Sequence, residues 1–159
     1  MAADHHTDPD EWPTCRLLGM AARLDERRIN RTISHLGLTK GSLEALETIA
    51  ELHATRASDL AALLCVSPQS MGKVIQRLQG LGLLTKQRGR DGRTASIELT
   101  QNGVDALAAA EDLLQELAQP SSDTDPEFRS NLAHRVGDLR SLETGKTPLA
   151  SSTAVPGTA

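Results

Sequence analysis

Between residues 58 and 99 the chain sets two short apolar rhythms around a Ser-Pro dipeptide, then two strand-like runs joined across an Asp-Gly turn: SDLAALLCVSPQSMGKVIQRLQGLGLLTKQRGRDGRTASIEL. Ser67 followed by Pro68 is a strong helix start, because the hydroxyl caps one orphan amide and the proline removes another. The helix it opens is expected to end near Leu81-Gly82. A short helix from about Ser58 to Leu64 precedes it. Leu83 to Arg88 and Thr94 to Leu99 then read as strands, the second alternating Ala95, Ile97 and Leu99 with polar residues. Gly89-Arg90-Asp91-Gly92 between them holds the hairpin signal.

This order of elements is a helix-turn-helix followed by a wing. Leu60, Ala61, Leu64, Val66, Met71, Ile75 and Leu78 supply its packing pattern, with Ala61 small enough for close helix crossing and Cys65 in the turn. At about 100° per residue, Met71, Val74, Ile75 and Leu78 share one side of the second helix. Gln69, Ser70, Lys73, Gln76 and Arg77 share the other. That polar face offers amide, hydroxyl, ammonium and guanidinium groups with no carboxylate, a mixture suited to base edges and phosphates in a major groove. Arg90 and Arg93 fall near the wing tip, where long cations fit a narrow minor groove, and Asp91 is placed to hold one of them.

Charge follows the same division. The formal net charge is −4, yet residues 68–97 contain six cations against Asp91 alone, a local balance of +5 that leaves −9 for the rest. An anion-binding face on an acidic body is the implication.

The flanks are expected to be helical. Residues 1–11 read as a disordered leader and 144–159 as a disordered tail. A first helix covers Trp12 to about His35, with Leu18, Ala22, Ile29, Ile33 and Leu36 at helical spacing and Asp25 interrupting the stripe. Thr39 then caps a helix carrying Leu43, Leu46, Ile49 and Ala50. After the wing a long helix runs from Thr100 to about Gln119, where Pro120 stops it, and a last helix aligns Phe128, Leu132, Val136, Leu139 and Leu142. With one Trp, one Phe and no Tyr in 159 residues, the core must come from Leu, Ile, Val, Ala and Met, which suits helices. The fold class expected is mainly α with a small β-hairpin wing.

Several function classes are disfavoured. The acidic, polar start is unlike a signal peptide, and no apolar run reaches membrane-span length, so a cytoplasmic protein without membrane contact is expected. Cys15 and Cys65 form neither a disulfide framework nor a zinc pattern. His5 and His6 lie in the leader, and His35, His53 and His134 lack near partners, so neither a metal nor a cofactor is expected. No nucleophile elbow, phosphate loop or paired-carboxylate motif suggests an enzyme.

With these residues in view, the chain resembles the MarR-type winged-helix transcriptional regulators over roughly residues 12–143. The resemblance rests on GLT at 37–39, SDLAALLCVSPQSMGKVIQRLQGLGLL at 58–84, DGR at 91–93 and LTQNG at 99–103. It implies a homodimer on double-stranded DNA at a pseudo-palindromic operator. Carried over by position, Pro68, Gln69, Ser70, Lys73 and Arg77 match the recognition-helix segment, and Asp91 and Arg93 the wing; Gln76, Arg88 and Arg90 join them as DNA-binding candidates from the residue reading. Gly92 stands where many members carry a second arginine, which shifts wing contact onto Arg90 and Arg93. The domains implied are a dimerisation helix at 12–36, a winged helix at 37–99, and a long helix plus C-terminal dimerisation helix at 100–143. Leu18, Ile33, Phe128, Leu132, Val136 and Leu139 are the expected interface residues.

The resemblance further implies repression relieved by a small-molecule effector held between the dimer helices and the winged helix, with Arg16, Arg31, His35 and His53 as conceivable pocket residues. Cys15 sits where the peroxide-sensing branch carries its reactive cysteine, so a thiol-based redox regulator is an alternative; that branch supports its thiolate with tyrosines, which are absent here. A winged-helix protein-interaction module is the alternative of another class.

Overall fold

The computed structural model describes residues 8–88, 95–117 and 125–143. They fall into two units, 1–117 and 118–159, of which the first contains the winged helix. The described residues are mainly helical, with one two-stranded antiparallel sheet.

Helix α1 (Thr14–Ile33) starts after Pro13, and a 3-10 turn, Ser34–Leu36, carries the chain to Gly37. At Gly37 the backbone turns left-handed, with φ 73°, where glycine carries no Cβ penalty. Asp25, which breaks the apolar stripe of α1, pairs with Arg28 at 3.1 Å.

Helix α2 (Lys40–Leu52) opens with a reciprocal cap. Thr39 accepts from the Ser42 amide and the Ser42 hydroxyl accepts from the Thr39 amide, so two orphan donors are satisfied, an arrangement worth about 1 kcal/mol. The Lys40 amide also donates to Asn30 Oδ1 at 2.6 Å, tying the start of α2 back to α1. Lys40 and Glu44 form an ion pair one turn apart.

Helices α3 (Ala57–Leu63) and α4 (Pro68–Gly80) form the helix-turn-helix. Its turn closes through a Val66 amide to Ala61 carbonyl bond of 3.0 Å, and Cys65 within it takes a positive φ of 53°. Leu60, Ala61, Met71, Ile75 and Leu78 are each 2% exposed or less, as the periodicity requires. Each large member of that set contributes roughly 1.5–3 kcal/mol by burial. Val66, expected to pack with them, is instead 41% exposed, because the residue after the left-handed Cys65 already leads the chain out toward Ser67.

Strands β1 (Leu84–Arg88) and β2 (Ala95–Leu99) pair with Leu84 opposite Leu99 and Arg88 opposite Ala95. Ile97 is buried and also exchanges two backbone bonds with Thr55, 2.8 and 3.2 Å, so the segment between α2 and α3 forms a one-residue third edge of the wing sheet.

Helix α5 (Gln101–Leu117) follows directly and turns Leu107 and Ala110 into the core, which it shares with Ile33, Leu46 and Ile49. Ile33, expected between subunits, is therefore buried within a single chain, 0% exposed, and offers no surface to a second copy. In the second unit α6 (Pro126–Glu143) is capped by Asp125, whose Oδ1 accepts from the Glu127 amide at 2.9 Å, and no residue of this helix is buried. No helix among the described residues is long and apolar enough to cross a membrane.

Candidate nucleic-acid interface

The candidate site is the outer face of α4. Its position is set at the start of the helix, where Ser67 Oγ accepts from the Ser70 amide at 3.1 Å and donates to Ser70 Oγ at 2.9 Å. This leaves the Ser70 hydroxyl its own proton for an outside acceptor. Pro68, Gln69, Ser70, Lys73, Gln76 and Arg77 are all exposed, while Met71, Ile75 and Leu78 point inward. The helix is therefore split along its length as its sequence indicates. It holds no carboxylate in its first turn or anywhere else, and the amides at that end carry the positive pole of the helix dipole. A surface of this kind attracts phosphate and offers donors and acceptors at base-reading length.

Arg77 has a partner that the sequence did not reveal. Its Nη2 donates to the Gly37 carbonyl at 3.0 Å, reaching the turn between α1 and α2. Besides Lys73 on the same helix, the expected cations lie on β1 and beyond: Arg88 closes β1, and Arg90 and Arg93, with Asp91, lie outside the described residues.

The far end of α4 is fastened to α5. Thr100 Oγ1 donates to the Gly82 carbonyl at 2.6 Å and accepts from the Gly103 amide at 3.1 Å, while the Thr100 amide donates to Leu83 O at 3.0 Å. The LTQNG stretch thus acquires a physical meaning as a cap that pins α5 to the turn after α4. A Thr three residues before Gly at a strand-to-helix junction was the available signal.

The other candidates are dispersed. Arg16 stacks on Trp12 with its guanidinium carbon 4.0 Å from the ring centroid, and Arg31 Nε donates to the Arg27 carbonyl at 3.3 Å. These two arginines are fifteen residues apart on α1, about 22 Å along its axis, so one chain cannot bring both to one small ligand. His35 is exposed, and His53 ends α2 with φ 62°. Cys15 and Cys65 are both exposed free thiols. Among the described residues no group of three or more His, Cys, Asp or Glu is placed to hold a metal ion. On α6, Phe128, Leu132, Val136, Leu139 and Leu142 are 38–67% exposed, and Leu18 on α1 is half-buried.

Residues 38–94 match the MarR family model. No curated protein matches the chain in sequence. Solved structures share its fold. A mutant of MarR from E. coli complexed with operator DNA aligns with a TM-score of 0.67 at 20% identity, covering 84% of this chain and 99% of that one. The M. tuberculosis transcriptional regulator MOSR in complex with DNA gives 0.69 at 22% identity, with 84% and 98% covered. The organohalide-sensing regulator RdhR in its 2,4-dichlorophenol-bound form gives 0.74 at 18% identity, with 100% and 96% covered.

Proposed function

We propose that this chain, whose residues 38–94 match the MarR family model, is a sequence-specific DNA-binding transcriptional regulator acting as a homodimeric repressor. The observation that carries the reading is the exposed face of α4, where Gln69, Ser70, Lys73 and Gln76 stand without one carboxylate, on a fold shared with two DNA-bound regulators. In this reading Gln69 and Ser70 read base edges, Lys73 and Gln76 hold the backbone, Arg90 and Arg93 of the wing are assigned to the adjacent minor groove, and Arg88 is a further DNA-binding candidate.

A dimer follows from the geometry of the target. Successive major grooves on one side of a duplex lie about 34 Å apart, so reading an inverted repeat takes two recognition helices at fixed separation. The apolar stripe Phe128, Leu132, Val136 and Leu139, exposed along α6, and Leu18 of α1 are assigned to the contact between copies. Residues 12–36 and 100–143 then frame the dimer, and 37–99 bind DNA. The chain acts by occupancy and not as an enzyme, its place is with DNA in the cytoplasm, and a small phenolic molecule is the effector class that the RdhR likeness suggests.

Genomic fragments selected by the purified protein, followed by anisotropy titration of the best fragment at several salt concentrations, test the reading. An inverted repeat bound with a steep salt slope is expected, since each neutralised phosphate adds about 0.9 to the slope. No enrichment and a flat slope would overturn it in favour of a protein-docking module.

A further inference from the structure

The C-terminal end of α4 is where the helices entering and leaving the winged helix are both held. On the entering side, Arg77 Nη2 donates to the Gly37 carbonyl at 3.0 Å. Leu81, whose amide closes on the Arg77 carbonyl, lies with its Cδ1 3.8 Å from where a Cβ on Gly37 would sit. Gly37 ends the short turn between α1 and α2, and the adjoining Asn30 to Lys40 bond closes the same elbow from the other side. On the leaving side Thr100 is bonded to Gly82 and Leu83, one and two residues beyond Leu81.

We propose, resting on the DNA-binding reading above, that Arg77 is a positioning residue and not a DNA ligand: it locks the recognition helix to the elbow of α1 and so sets the half-site spacing that the protein accepts. Arg77 stands eight residues after Gln69, about 12 Å farther along the helix axis from the end that enters the groove. One of its five N–H donors is directed at a carbonyl of the body. Without the strap, α4 is related to α1 only through the packing of Met71, Ile75 and Leu78 in the core that holds Ile33, and the separation of two recognition helices in a dimer is less closely fixed.

The test uses the full-length protein with Arg77→Ala and Arg77→Lys. Operators with the native spacer and with spacers one base pair longer or shorter are titrated at several salt concentrations. Arg77→Ala is expected to reduce the preference for the native spacer at least three-fold while leaving the salt slope at the wild-type value, and Arg77→Lys to recover the preference. A slope that falls by about 0.9 in Arg77→Ala, or a spacer preference that does not change, would overturn the proposal. Hydrogen exchange read without DNA separates this outcome from failure of the DNA-binding reading. Faster exchange of the Gly37 and Leu38 amides in Arg77→Ala, with Arg77→Lys close to wild type, supports the strap even if no operator is found; unchanged exchange overturns it.

Discussion

Gly103 sits so close to Leu83 that a Cβ at position 103 would fall 2.2 Å from the Leu83 carbonyl oxygen and 3.0 Å from Leu99 Cδ2. The obstructing atom is backbone, held in place by the Thr100 amide, and cannot swing aside as a flexible side chain would. Gly103→Ala is therefore expected to destabilise the protein by about 1–3 kcal/mol, the usual range for overpacking, despite alanine's higher helix propensity. Urea unfolding checks this, and a gain in stability would show that α5 can shift off the turn.

Two substitutions on the same face of α4 are expected to act differently. Lys73→Ala lowers the salt slope of operator binding by about 0.9 and weakens all sequences alike. Gln69→Ala leaves the slope unchanged and costs roughly 1–3 kcal/mol at one base pair per half-site. Binding to a base-substituted operator set separates the two, and identical profiles would remove the division of roles.

Cys65 holds a left-handed backbone in the helix-turn-helix with a side chain that is exposed. Replacing it by Gly removes the Cβ penalty, about 1 kcal/mol, against the greater freedom of glycine in the unfolded chain. The expected net effect of Cys65→Gly is a gain of a few tenths of a kcal/mol with operator affinity retained. A loss of more than about 1 kcal/mol would mean that the thiol packs more tightly than its exposure indicates.

Glu47 lies half-buried on α2, and burial pushes its carboxyl above the usual range, helped by Glu44, Glu111 and Glu51 and opposed by Lys40. The folded chain thus holds this proton more tightly than the unfolded one. Its contribution is most favourable below the ordinary value of 4.5 and is lost as pH rises through the raised folded value. Glu47→Gln is expected to be more stable than wild type at pH 7, with the difference shrinking toward acid pH. Chemical denaturation across pH reads this, and a difference independent of pH would assign the gain to packing alone.

The apolar stripe of α6 is expected to be covered by a second copy. Leu132→Asp combined with Val136→Asp should convert the protein to monomer by sedimentation and lower operator affinity at least ten-fold. A double variant that stays dimeric would place the interface elsewhere.

Periodicity and chemistry along the chain determined most of the winged helix. Ser67-Pro68 opens α4, Thr39 caps α2, and the inward set Met71, Ile75 and Leu78 separates from the outward set Gln69, Ser70 and Lys73 because both follow from local rules of capping and helical spacing. Tertiary structure alone decided three things. Ile33 belongs to the core of its own chain, because a helical stripe says that a face is buried but not by what. Thr55 pairs with Ile97, a single bridge between segments forty-two residues apart that leaves no period to read. Arg77 reaches Gly37, forty residues away, since a cation on an exposed face looks the same in sequence whether it points at solvent, at phosphate or at a carbonyl of its own fold. Local patterns fix which face turns outward; only the packed chain fixes what each outward group can reach.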